Sequence, residues 1–353
     1  MALIGYVYDR QYQLLGQLFG IVGFQCMIKL NDISTADLKI SNDSLQDALL
    51  LLKENNRIIV SMIDDTGSEQ EMISGFIRGI EASLVATTIK IEDLTSLLDD
   101  KVIASNVSFT GTIAQLLQSL LDAMNMQESI GLQLVCDVNE VVSKEYPRGE
   151  TLGNILKDLR QNTYEYCIKQ NTLYFQTSIG IDRSLSGSTY RELMRDVYSP
   201  LDRSITDAKL IMDVKQMCNV CLGKDQATPV MAQDIVSIAE YGRIERSISN
   251  NGNIQEAVTN YVQERKDSIR EFEITPQIHD FFFCDVGDLV RVYINSGNDI
   301  MFYDGSLKVI EKSYTAGEMP KISFKLAKNK IKTVELNEKI KDMNRRIQRL
   351  ELQ

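Results

Sequence analysis

The sequence predicts an α+β, mainly β chain with two antiparallel barrel-like domains, an α+β insertion between them and a C-terminal coiled-coil helix. Three observations predict it. Short runs of alternating or β-branched residues crowd the first hundred positions and return after Ser199-Pro200. The stretch between them switches to helical spacing. From Leu336 to Leu350, apolar residues recur at alternating steps of four and three.

In chain order, ADLKIS, RIIVSMI, EMISGFIRGIEAS and ATTIKIED read as strands, broken by turn signals at Asn55-Asn56 and Asp64-Asp65-Thr66-Gly67. Such close succession suggests a small antiparallel barrel over residues 1–107. LQDALLLLKE fits a short helix as well as a strand. Composition changes at residue 108. Thr110 is expected to cap a helix whose Ile113, Leu116, Leu117, Leu120, Leu121 and Met124 share one face. The strand LQLVCDV follows, then a second helix capped at Thr151 with Leu152, Ile155, Leu156 and Leu159 on one side, then a hairpin, YEYCIK–QN–TLYFQT. These make an insertion over 108–198. ITDAKLIMDV and DIVSIAEYGRIERSIS resume the strand pattern, and a helix from about Asn253 to Lys266 interrupts it. FEITPQI, FFFCDVGDLVRVYI, SLKVIEKSYT and KISFKLA then complete a second barrel-like domain over 199–328, leaving 329–353 for the terminal helix.

Composition narrows the function classes. A hydrophobic fraction of 44% and a charged fraction of 25% are those of ordinary globular protein. Nothing approaches the ~18 uncharged apolar residues of a membrane span, and MALIGYVYDRQYQLLG lacks the basic-then-apolar layout of a signal peptide. The expectation is a protein without a membrane anchor, made and folded in a reducing cytoplasm. Its net charge of −11 argues against general binding to nucleic-acid phosphates. Residues 328–353 carry eight Lys/Arg against four Asp/Glu, so this +4 segment leaves −15 on the rest. A basic tail of this kind reads as a solvated helix face or as a stalk docking on something acidic.

Catalytic equipment is sparse. Cys218-Asn219-Val220-Cys221 has metal-ligand spacing, but no second pair exists and His279 is the only histidine. A site from Cys218, Cys221, His279 and Cys284 can be drawn, yet the pair follows a strand-like run, and two ordinary thiols is the favoured reading. One histidine removes most nucleophilic triads. With 49 acidic residues, some carboxylate pair will always fit, so that signal has no specificity. No HExxH, Walker loop or GxGxxG occurs, and Gly turns such as Ser186-Gly187-Ser188 read as loops. The expectation is a non-enzyme with no cofactor, no metal and no catalytic residue.

Association is better marked. Leu336, Ile340, Met343, Ile347 and Leu350 form a narrow a/d seam, with polar residues at the e and g positions, among them Arg346 and Glu351, which can pair between parallel chains. Ile278–Phe283 (IHDFFF) reads as a buried strand, with protruding Phe at a subunit interface as the sharper alternative.

Two stretches then carry a family resemblance. EYGRIERSIS…GNIQEAVTNYVQERKDSIREFEI reads as strand, Tyr-Gly turn, helix and strand; in DVGDLVRVYI…SLKVIEKSYTAGEMPKISFKLAKN, a Gly-Asp turn starts a strand and a returning pair closes the domain. Together with ISGFIRGIEASLVATTIKIED, this layout resembles the tail hub or baseplate hub proteins of tailed bacteriophages and contractile injection systems. It is similar to the hub of contractile tails and to Gp37-like tail proteins of siphoviruses, over about residues 1–330.

The resemblance implies a structural virion protein at the tail tip. It implies a homotrimer whose paired barrel-like domains continue the tail tube as a pseudo-sixfold ring, with DNA passing through the lumen. It implies partners in the tail tube or distal tail protein and, through the C-terminal helix, in a tip spike, fibre or other baseplate protein. Ile at a with Leu or Met at d leans towards dimers, so in this reading the ring contacts set the number of chains and the short coil follows. An adsorption module binding host carbohydrate through the insertion, and a tail-associated cell-wall hydrolase, are the alternatives.

Overall fold

The computed structural model describes residues 2–44, 51–63, 67–127, 131–160, 163–184, 200, 205–213, 215, 217–224, 230–249, 254–266, 269–277, 280–295, 302–317 and 320–327. Within them the chain is mainly β, and it forms two compact units, 1–208 with 274–353, and 209–273.

The first unit opens with seven strands: β1 (Ala2–Tyr8), β2 (Leu14–Leu18), β3 (Ile21–Lys29), β4 (Thr35–Ser41), β5 (Arg57–Ile63), β6 (Glu69–Ala82) and β7 (Ala86–Asp93). RIIVSMI and ATTIKIED become β5 and β7 residue for residue. In β4 the alternation is clean: Ala36, Leu38 and Ile40 are buried while Thr35, Asp37 and Lys39 face out. After α1 (Ser96–Asp100) come β8 (Val107–Thr112), α2 (Ile113–Gln127), β9 (Gln133–Cys136), β10 (Val141–Tyr146), α3 (Leu152–Arg160), β11 (Glu165–Lys169) and β12 (Thr172–Gln176).

The chain leaves the first unit along β13 (Ile205–Asp213). The second unit contains β14 (Val220–Gly223), β15 (Met231–Gln233), α4 (Ile235–Tyr241), β16 (Glu245–Ile248) and α5 (Ile254–Arg265), and β17 (Ile269–Pro276) leads out of it. α6 (Asp280–Phe283), β18 (Leu289–Asn295), β19 (Phe302–Thr315) and β20 (Lys321–Ala327) complete the order.

Strands from both predicted barrel regions belong to one sheet, in the order β13-β17-β20-β19-β3-β4-β7-β6-β5-β1-β2, with β18 also on β19. The joint is β19 on β3, where Glu311 to Thr315 pair with Lys29 to Gln25. Among the described residues this sheet is open, with β2 at one end. The 14-residue β19 makes the single sheet possible, because it is long enough to pair with β18 at its start and β3 at its end.

The stretch from β8 to β12 has its own apolar core, with Leu116, Ile155, Leu173 and Phe175 fully buried. Thr151 caps α3 as expected: its Oγ1 accepts from the Asn154 N–H at 3.1 Å. Thr110 does not cap α2. It pairs with Ser143 inside β8–β10, and Thr112 caps instead, its Oγ1 accepting from the Gln115 N–H at 3.3 Å while Gln115 Oε1 accepts from the Thr112 N–H at 3.0 Å. That reciprocal box needs Thr-x-x-Gln, which starts at 112. Gln170 and Asn171, at φ 46° and 63°, make the two-residue turn of β11–β12 that the QN dipeptide predicts.

Two strand expectations fail. Ile235–Tyr241 is helical, because the Asp234 side chain accepts from the Ser237 N–H at 2.9 Å and Gly242, at φ 78°, ends the helix. Asp280–Phe283 is a single helical turn, and the strand starts only at Leu289. The turn buries Phe281 against Tyr314, ring centres 5.6 Å apart, and leaves Phe283 exposed; a strand would have needed cover on both faces.

In the second unit β14 lies between β15 (antiparallel) and β16 (parallel), and α5 packs Ile254, Val258 and Val262 onto Cys218 and Cys221. Both thiols are fully buried, and Cys218 Sγ donates to the Val220 carbonyl at 3.1 Å.

Candidate functional site

Two features of the first unit present chemistry to the outside. The first is a cavity of about 420 Å³ between the β1–β2 turn, the β5–β6 pair and α1. Asp9 builds the turn, with its Oδ1 accepting from the Gln11 N–H at 2.9 Å and the Gln13 N–H at 2.8 Å, and Tyr12 sits at φ 64°. Tyr12 stacks on Tyr8, ring centres 4.8 Å apart, and the Arg57 guanidinium lies 4.2 Å from the centre of its ring.

Arg57 begins β5 opposite Tyr8 and Phe76. It is only 7% exposed and donates to Ser74 Oγ at 3.1 Å and to Asn171 Oδ1, on the β11–β12 turn, at 2.6 Å. Burial lowers its pKa from the ordinary arginine value. Its Nε has no hydrogen-bond partner, and among the described residues no carboxylate pairs with it. Arg78 is neutralised: it meets Asp100 at 2.5 Å and Glu92 at 3.5 Å and donates to Asn55 Oδ1 and Ser96 Oγ. Arg10 and Lys101 complete a lining of four cations against two carboxylates, Asp9 and Asp100, in a chain of net charge −11.

The second feature is the edge of the sheet at β2. Among the described residues β2 pairs only with β1, and Leu14 and Leu15 on it are exposed. Beyond it, Phe19, Val22, Leu84 and Val85 are 61%, 60%, 100% and 79% exposed. The turns that carry Phe19, Leu84 and Val85 come together at the end of β4: the Ser41 N–H donates to Gly20 O, and the next residue's N–H, that of Asn42, donates to Val85 O. Apolar side chains beside an unpaired strand edge form a surface suited to a partner.

Neither feature, as described, includes the residues singled out in the sequence. Leu336, Ile340, Met343, Ile347, Leu350, Arg346 and Glu351 fall outside the described residues, as do His279 and Ser186–Ser188. Among the described residues, no group of three His, Cys, Asp or Glu could hold a metal ion, and no helix is long and apolar enough to cross a membrane. The cavity was missed, although a signal existed: arginine inside RIIVSMI and SGFIRGIE is out of place in an apolar strand unless something receives it.

No family model matches the chain, and no curated protein does. Solved structures match it over nearly its whole length. The prophage MuSo2 43 kDa tail protein from Shewanella oneidensis superposes with a TM-score of 0.63 at 15% identity, covering 92% of this chain and 97% of that one. A tail protein from Neisseria meningitidis MC58 gives 0.62 at 12% identity, covering 92% and 96%. The E. coli c3393 protein, a type VI secretion component with structural similarity to T4 tail proteins gp27 and gp5, gives 0.51 at 10% identity, covering 93% and 76%. The chain thus has the fold of phage tail proteins, as the resemblance in its sequence led one to expect.

Proposed function

We propose that this chain is a non-enzymatic tail hub, a structural virion protein whose homotrimer closes the distal end of the tail tube and connects it to the tip. The carrying observation is the correspondence of fold with tail proteins along 92% of the chain. In this reading residues 1–107 and 199–328 are the two barrel-like halves, three copies of which make the pseudo-sixfold ring. Residues 108–198 are the insertion, and 329–353 form a coiled-coil stalk with Leu336, Ile340, Met343, Ile347 and Leu350 as its seam and Arg346–Glu351 as an interchain pair.

The apolar edge at β2 supports the ring, because it gives each copy a surface to bury. The charge supports a lumen for DNA, since an acidic wall does not retain phosphates. The tube side would meet the tail tube or distal tail protein, and the stalk a spike, fibre or other baseplate protein. Native mass measurement of the full chain at micromolar concentration tests the reading. A trimer is expected, alone or with tail-tube protein; a stable monomer under both conditions overturns it.

A further inference from the structure

We propose that the cavity beside Arg57 binds a sugar-sized oxyanion, a molecule carrying one phosphate or carboxylate group and neighbouring hydroxyls. The argument starts from Arg57. A guanidinium this deeply buried needs a contacting opposite charge or a full set of acceptors, and the described residues supply neither. Ser74, Asn171 and the face of Tyr12 are neutral, and Nε is left without a partner. Glu71 attracts it electrostatically but makes no ion pair with it.

Arg57 lines a cavity of about 420 Å³, within the range of small-ligand sites. The other groups there suit the rest of such a ligand. Exposed Arg10 sits on the β1–β2 turn at the rim, and it too pairs with no carboxylate among the described residues. Asn55 and Asp100 offer amide and carboxylate oxygens to hydroxyls, while Phe76 and Leu97 offer apolar cover. Arg78 is less available to a ligand, because Asp100 and Glu92 already hold it. An anion entering here would complete the coordination of a charge that is already desolvated, so little is lost on binding.

Calorimetric titration of the full-length protein at low salt with glucose 6-phosphate, glucuronate and glucose tests this. At least one of the two anions is expected to bind, and glucose is not. Arg10→Glu at the exposed rim is expected to weaken that binding by about tenfold or more, with an unchanged melting temperature. Arg57→Met is expected to abolish it; should that variant fail to fold, the rim variant decides. Binding of only the phosphate or only the carboxylate upholds the site and identifies the head group. The proposal is overturned if neither anion binds at millimolar concentration, if glucose binds as tightly as the anions, or if Arg10→Glu binds as tightly as the native chain. The readout does not depend on the oligomer, so it stands or falls separately from the hub.

Discussion

Lys308 Nζ donates to both carboxylate oxygens of Glu165, at 2.9 and 2.8 Å. Glu165 is fully buried at the start of β11, and the Ile179 N–H donates to its Oε2 at 2.8 Å. Lys308 lies on β19, so this pair ties the α+β block to the large sheet. Lys169 and Lys312 make a second tie at Asp285. Burial works to raise the Asp285 carboxyl, but Lys312 and Lys169 outweigh it and hold it well below the usual carboxylate range.

Removing one partner of the first pair strands a charge. Glu165→Gln is expected to destabilise the protein by about 3–5 kcal/mol in chemical denaturation. Glu165→Leu combined with Lys308→Met should recover much of that loss, since two apolar residues leave no uncompensated charge. If the single and double variants lose the same amount, the coupling is absent.

Gly180 and Gly287 touch back to back. A Cβ on Gly180, at φ 88°, would stand 2.2 Å from the Gly287 carbonyl carbon, and a Cβ on Gly287, at φ 96°, would stand 2.6 Å from Ile179 O. Gly180→Ala is expected to lower stability by at least about 1–3 kcal/mol from the backbone alone. A melting temperature equal to that of the native chain would show that the segment shifts freely.

Asp93 supplies a pH dependence. Burial pushes its carboxyl up to about 6, against hydrogen bonds from Ser34 and Thr95 that work the other way. A raised carboxyl favours the protonated folded form, so stability rises as pH falls from above 6 towards 4 and is penalised at neutral pH. Asp93→Asn is expected to be more stable than the native chain by about 3 kcal/mol at pH 7. The advantage should shrink as pH falls through 6 and vanish only below about pH 3, where the carboxyl is protonated in the folded and the unfolded chain alike. A gap that stays constant with pH contradicts this account.

Burial also raises the thiols of Cys218 and of Cys221, the latter to about 11. Both are expected to resist alkylation at neutral pH until the protein is unfolded. Rapid labelling of either in the native state would mean that the second unit opens on its own.

The exposed apolar edge carries a prediction for assembly. Phe19→Asp together with Leu84→Asp should shift the oligomer towards monomer in sedimentation while leaving the melting temperature of the monomer unchanged, because both side chains already face outward. Removal of residues 336–353 should leave the proposed trimer intact, since about two and a half heptads are too few to hold it.

Much of the fold was legible wherever a signal is local. RIIVSMI and ATTIKIED are strands because their own side chains alternate or branch. The QN turn, the Thr151 cap and the Gly287-Asp288 turn are each decided by a few adjacent residues. Asp234 and Gly242 carried an equally local signal for α4, but the β-branched residues in IVSIAEY masked it. Of the two surface features, the sequence showed only that an arginine interrupts each of two apolar strands.

The sequence by itself determined the mainly β class, the helices α2 and α3, the β11–β12 hairpin and the tail-protein likeness, because periodicity and turn chemistry are written within single segments. Only the tertiary structure decided that strands from both halves share one sheet, since β19 and β3 are nearly the whole chain apart and neither records its partner. It also decided that Arg57, from one strand, meets Tyr12 and Asn171 beside a cavity and, among the described residues, pairs with no carboxylate. Which charges end up opposed or unopposed depends on three-dimensional proximity, and nothing local in the sequence specifies that.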